Sequence, residues 1–187
     1  MPRLFIAIKI TPSKSLENIL SDLKEQLNQS TIKWVDSMNF HITLKFLGHV
    51  EEYYINTLIA LLDQIAQRNS GFTLESSGFG FFGKTRQPRV IWYGFKSNSC
   101  LDKLQHSIEE SLSELGFEKE DKNYLPHLTI GRVKALSANN NFKETVPELV
   151  TQPEYYPVAK FSLIKSILKA EGPSYQVLKD FTLKPVM

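Results

Sequence analysis

The chain has 187 residues, 42% of them hydrophobic and 22% charged, with a formal net charge of +2. That balance describes one ordinary domain or two small lobes on a shared core, and it excludes a disordered tail protein. A pI of about 8.5 and a mean hydropathy of −0.22 exclude the broad basic face of a duplex-DNA wrapper and a membrane helix, yet leave room for a small phosphate pocket.

Met1–Lys9 is too soon interrupted for a signal peptide, and its apolar part, Phe5-Ile6-Ala7-Ile8, reads as a buried strand. The chain is therefore expected to be soluble and cytoplasmic, with a monomer as the default. Pro12 and Ser13 open a helix carrying Leu16, Ile19, Leu20, Leu23 and Leu27 at three- and four-residue spacing. After Trp34 comes a strand, Phe40 to Leu47, stopped by Gly48, and then a helix with Ile55, Leu58, Ile59, Leu62 and Ile65 on one face. Phe72-Thr73-Leu74 predicts a strand, and the glycine-rich stretch Gly78 to Gly83 an irregular turn. Arg89 to Tyr93 is a strand again. Leu101, Leu104, Ile108, Leu112 and Leu115 mark a third helix, which Gly116 caps. Cys100, the lone cysteine, sits at that helix start and cannot build a disulfide framework or a thiolate metal site. A strand from His127 to Val133 follows Pro126, then a weak helix from Phe142 to Leu149. Strands Val158 to Leu168 and Tyr175 to Leu183, separated by Glu171-Gly172-Pro173, close the chain.

This order contains a repeat. A shift of 86 carries Arg3 to Arg89, His41 to His127 and Thr43 to Thr129, and a shift of 85 carries Leu16, Ile19, Leu23 and Leu27 to Leu101, Leu104, Ile108 and Leu112. The pattern predicts a duplicated strand–helix–strand–helix–strand unit, with pseudo-repeats of about 1–86 and 87–187 in a single two-lobed domain. The fold class is α+β: two antiparallel-type sheets flanking a central cleft, with helices outside. The two histidine strands should face each other across that cleft.

Each strand carries His-x-Thr. Residues two apart share a face, so His41 stands beside Thr43 and His127 beside Thr129, while Ile42, Leu44, Leu128 and Ile130 point into a core. A neutral and a protonated imidazole coexist near neutral pH, so one ring can accept a proton while the other gives one. The threonine hydroxyls can donate to non-bridging phosphoryl oxygens, where charge builds in the transition state. In-line opening of a cyclic phosphodiester needs this set and requires neither a metal nor a cofactor. Catalytic zinc usually takes three protein ligands, and neither motif supplies a second at helix or strand spacing. His49, placed in a loop after Gly48, and His106, beside the apolar stripe of its helix, are expected to be structural or solvated.

At these residues the sequence resembles the two-histidine phosphoesterase superfamily, and closely the bacterial and archaeal RNA 2′,3′-cyclic phosphodiesterases once called 2′-5′ RNA ligases. The resemblance runs through Arg3 to Ile8, Lys33-Trp34-Val35, His41 to Gly48, Pro88 to Trp92, Pro126 to Val133 and Gly172 to Leu178. It implies a bilobal LigT-like fold and hydrolysis of a terminal RNA 2′,3′-cyclic phosphate to a 2′-phosphomonoester. By family convention His41 is the proton donor to the departing 3′ oxygen and His127 the acceptor from water; symmetry alone does not assign these roles. Thr43 and Thr129 would hold the phosphate. Arg132 is either a phosphate contact or a surface charge, since strand parity sets it opposite His127 unless Gly131 bulges the strand. Lys45 is expected on a solvated face. Phe46, Phe82, Trp34, Trp92 and Tyr124 could stack a base, although aromatics at strand positions are mostly core. The implied partner is RNA with a 2′,3′-cyclic phosphate end, or a cyclic nucleotide; DNA and membrane are not expected. Reversible 2′-5′ RNA ligation, with a nucleoside hydroxyl replacing water, and a non-catalytic RNA-end binding module remain the alternatives.

Overall fold

Alternation of apolar and polar residues sorts most strands onto a buried and an open face, and the helices cover the buried one. The computed structural model describes residues 1–84, 87–120, 123–137, 142–146, 152–169 and 172–185. The strands are β1 (Arg3–Lys9), β2 (Thr31–Trp34), β3 (His41–His49), β4 (Phe72–Lys84), β5 (Gln87–Phe95), β6 (His127–Ala135), β7 (Tyr155–Val158), β8 (Lys160–Lys169) and β9 (Gly172–Thr182). The helices are α1 (Lys14–Gln26), α2 (Ile55–Ala66), α3 (Ser99–Glu114) and the single-turn α4 (Phe142–Thr145). Ser13 starts α1 by accepting the Leu16 amide at 3.0 Å, and Asn98 starts α3 by accepting the Cys100 and Leu101 amides. Gly116, at a φ of 87°, turns the chain out of α3.

The strand order is β7-β4-β5-β6-β3-β1-β8-β9, with β2 added to the edge of β6, and the named pairs are antiparallel. Only one residue pair, Ile42 with Leu128, joins β3 to β6. Past that bridge β6 pairs instead with β2, Gly131 with Trp34 and Arg132 with Lys33. The sheet is thus two antiparallel half-sheets that touch at one point and part on either side of it. Within each half, strands are exchanged: β4 lies beside β5, and β8 lies beside β1. Each half-sheet therefore draws on both sides of residue 86.

Leu16, Leu20 and Leu23 of α1, Leu58 and Leu62 of α2, and Leu101, Leu104, Ile108 and Leu112 of α3 share one core with Leu4, Ile6, Ile42, Leu44, Leu128 and Ile130. Burying each such side chain contributes about 1.5–3 kcal/mol. On the opposite face Phe5, Ala7 and Ile164 form a second, small cluster against Tyr175. Among the described residues, no helix residue belongs to that cluster.

Several expectations need correction. Gly78 to Gly83 is not a turn but the second half of the long strand β4. Gly80 is needed there because a Cβ would overlap the Trp92 indole from β5. His49 is not in a loop; it ends β3, paired with Arg3. β2 and β7 were not expected, both being short edge strands of four residues. The predicted helix Phe142 to Leu149 is seen over Phe142–Thr145; residues 147–149, and Glu171 between the closing strands, lie outside the described residues.

Candidate active site

The bridge between Ile42 and Leu128 lies at the middle of both His-x-Thr segments. With those two side chains in the core, an antiparallel pair centred on them sets His41 across from Thr129 and Thr43 across from His127. The two imidazoles and two hydroxyls thus occupy neighbouring strands of the open face, at the point where the two half-sheets part.

Both rings are held the same way. The Nδ1–H of His41 donates to the Asn39 carbonyl at 2.7 Å, and that of His127 to the Leu125 carbonyl at 2.8 Å. A carbonyl only accepts, so each bond fixes the proton on Nδ1 and leaves Nε2 free for chemistry. Asp36 shapes the first of these acceptors by accepting the Met38 amide at 2.8 Å, which closes the 3-10 turn ending at Asn39.

Burial holds the His41 pKa below its ordinary value, against the opposing pull of the Asn39 carbonyl, and the charges of Arg132 and His127 lower it further. His127 is likewise lowered by burial, against the Leu125 carbonyl, and by Arg132. Tyr175 and Phe5 pack against His41 with ring centroids at 5.2 and 5.0 Å, and Phe82 sets its edge to His127 at 4.8 Å.

Two register shifts settle where the flanking residues point. On β6, Trp92 pairs with Thr129 but Ile91 with Gly131, so Ile130 is the extra residue of a bulge. Past it Arg132, paired with Val90, turns to the face of Thr129 and His127 and is exposed. On β3, Ala7 pairs with Thr43 but Ile6 with Lys45, so Leu44 is the extra residue at the equivalent place. There the shift sends Lys45 inward and Phe46 outward. Lys45 is therefore not on a solvated face: it is 3% exposed, with Nζ donating to Glu109 Oε2 at 2.8 Å and to the Glu118 carbonyl at 2.5 Å. The expectation failed because parity was counted through the bulge.

Of the aromatics named from sequence, Phe46 at 56% exposure and Phe82 at 36% present open rings beside the site. Trp92 is half-buried over Gly80 and Gly94, and Trp34 packs over Gly131 on the core side. Tyr124 spends its hydroxyl on the Thr43 carbonyl at 3.2 Å, tying the approach to His127 onto β3, and burial raises its pKa. Phe5 and Tyr175 were not singled out as site residues. Phe5 lies in an unbroken apolar run, which hides its face. Cys100 and His106 are exposed on α3. Among the described residues, no group of three or more His, Cys, Asp or Glu side chains is gathered, and no helix is long and apolar enough to cross a membrane.

Comparison with known proteins bears on this geometry. RNA 2′,3′-cyclic phosphodiesterases from Methanocaldococcus jannaschii and Archaeoglobus fulgidus are 34% and 35% identical to the chain, each over 96% of it and 99% of the relative. A crystal structure from Thermus thermophilus superposes with a TM-score of 0.79 at 26% identity, covering 98% of both chains. Escherichia coli LigT complexed with 3′-AMP superposes with a TM-score of 0.75 at 26% identity, over 97% of this chain and 98% of that one. The family described as LigT like Phosphoesterase matches residues 8–92 and 97–175, and the chain belongs to it.

Proposed function

We propose that this chain hydrolyses RNA 2′,3′-cyclic phosphodiester ends to 2′-phosphomonoesters by paired-histidine general acid–base catalysis, without a metal. The observation that carries the reading is the matched pair of Nδ1–carbonyl bonds, which present two Nε2 atoms from neighbouring strands to one open face. The names of the relatives, and the 3′-AMP bound by Escherichia coli LigT, support the substrate class.

In the proposed step, water attacks phosphorus while His127 Nε2 takes its proton. The bond from phosphorus to the 3′ oxygen breaks, and His41, protonated at Nε2, gives that oxygen its proton. A 2′-phosphomonoester and a free 3′-hydroxyl result. Each proton transfer contributes about 10²–10⁴-fold. Thr43 and Thr129 donate to the non-bridging oxygens, and the Arg132 guanidinium faces the same charge. In the free protein burial, and to a lesser degree the charge of His127, disfavour the proton on His41. A bound phosphodiester, being anionic, favours that proton. The chain acts as one two-lobed unit, because the site exists only where β3 and β6 meet. Since both histidines belong to one chain, a monomer suffices, and the cytoplasm is the proposed location.

The test is product analysis on 2′,3′-cyclic nucleotides and cyclic-ended oligonucleotides, with and without EDTA. The expected product is the 2′-phosphate, formed equally with chelator present. A 3′-phosphate product, loss of turnover in EDTA, or full activity in both His41→Ala and His127→Ala would reject the reading.

A further inference from the structure

A groove of about 710 Å³ is lined by residues 87–90 of β5 and by residues 132–136 at the end of β6 and just beyond it. Arg132 belongs to both places: it lines the groove, and past the bulge on β6 it shares the face of Thr129 and His127. The groove therefore begins on the face that carries the site. Arg89 and Lys134 line it as well, and among the described residues no acidic one does. Lys33, on β2, pairs across from Arg132 and so shares its face. All four cations are exposed, and among the described residues none of them forms an ion pair. Some other surface cations are paired: Lys160 with Asp180, Lys179 with Asp63 and Lys119 with Glu110.

The equivalent exit from the other half-site lacks this character. A shift of 86 sets Arg89 against Arg3, but Arg132 against Phe46 and Lys134 against Gly48. Among the described residues no strand corresponding to β2 lies along β3, whose neighbours are β1 and β6. A terminal cyclic phosphate between the histidines leaves the rest of its strand to run out on one side, and the β6 side offers Arg132 and Lys134 where the β3 side offers Phe46 and Gly48. From Thr129 to Lys134 is about 16 Å at ~3.3 Å per residue, a path long enough for more than one phosphate.

We infer that this groove holds the upstream phosphates of a single-stranded RNA, so that the protein acts on oligonucleotide ends in preference to cyclic mononucleotides. The inference rests on the proposed reaction only for where the strand ends. Lys33, Arg89 and Lys134 act on the backbone and read no sequence. Arg132, which faces the reacting phosphate, is left intact in the test.

The experiment compares the wild type with the triple variant Lys33→Gln/Arg89→Gln/Lys134→Gln on 2′,3′-cyclic AMP and on a cyclic-ended oligoadenylate. The three substituted side chains are exposed, so the fold should tolerate their loss. Expected is unchanged kcat/KM on cyclic AMP and a fall of roughly tenfold or more on the oligonucleotide at low salt, with the log KM–log salt slope flattened by about 2. Anisotropy with a labelled oligoadenylate ending in a 2′-phosphate gives a second readout that needs no turnover, and the same loss of affinity is expected there. An equal effect on mononucleotide and oligonucleotide, or an unchanged affinity and salt slope, overturns the groove. Absence of turnover with the binding difference preserved would instead reject the proposed reaction and keep the groove.

Discussion

The half-sites around His41 and His127 are built alike up to the threonine and differently beyond it. Each has a carbonyl two residues upstream on the ring, a threonine two residues downstream and a bulge one residue after that. At the next position β3 has Lys45 and β6 has Gly131; one residue further on they have Phe46 and Arg132. The inward residue of the bulge is met on β3 by a buried ion pair with Glu109, and on β6 by no side chain at all, which lets Trp34 and Ile32 close over the backbone. The outward residue is an apolar ring on one rim and a cation on the other. The two strands thus share the geometry that aims the histidine and differ in the residues beyond the threonine.

The largest effect should come from breaking what the halves share. His41→Ala and His127→Ala should each lower kcat by about 10²–10⁴-fold on cyclic-ended RNA. The double variant should fall little further than the worse single one, because the two rings act as one unit. Additive losses in the double variant would show two independent contributions and count against a paired mechanism.

Next comes the unequal support of the two bulges. Lys45→Met leaves the Glu109 carboxylate buried without its cation and should cost about 3 kcal/mol of unfolding free energy, read from the urea midpoint. Lys45→Met with Glu109→Leu should recover most of that loss. Gly131→Ala sets a Cβ 3.0 Å from Ile32 Cγ2 and from Trp34 Cε3, a crowding of about 1 kcal/mol. Equal penalties at Lys45 and Gly131 would mean that the ion pair does not hold the β3 bulge.

The bulges also explain which parts of the molecule could be read from its residues. Apolar spacing was enough for α1, α2 and α3, with Ser13 and Gly116 marking an end of α1 and of α3. The His-x-Thr pair was readable because alternation holds from His41 to Thr43 and from His127 to Thr129. Beyond the threonines it breaks, and an inserted residue leaves no mark in composition; Lys45 was misplaced for that reason, and Arg132 could not be placed. Strand exchange between the halves was hidden as well, because pairing partners such as β4 with β5 follow from the sheet as a whole. The Asn39 and Leu125 carbonyls that orient the rings belong to the backbone, which every residue offers alike.

The two rims should separate by substrate. Arg132→Gln should lower kcat/KM by about 10–10²-fold on every cyclic substrate, the loss expected of a charged hydrogen bond. Phe46→Ala should lower kcat/KM by about fivefold and in proportion to base size, the low end of the ~1–3 kcal/mol that stacking is worth per base, because the ring is open to solvent. A base-dependent loss in Arg132→Gln, or a uniform one in Phe46→Ala, would reverse the assignment of the rims.

The smallest expected effect is on pH-dependent stability. Both histidine pKa values are held below the ordinary ~6.5, so just below that pH the unfolded chain binds more protons than the folded one. Stability therefore rises with pH through this window and is lost as the solution is acidified below about 6.5. Asp180, partly buried but held below its ordinary value by Lys160 and Ser162, gives way only further down, in the carboxylate range. The first decline on acidification thus belongs to the two rings, whose charge Arg132 helps to oppose. In His41→Asn/His127→Asn the urea midpoint should stay flat from pH 7 to about 5.5, and Arg132→Gln should lie between the double variant and the wild type. If Arg132→Gln matches the wild type, its charge does not reach the histidines in solution, and the difference between the two rims has no electrostatic part.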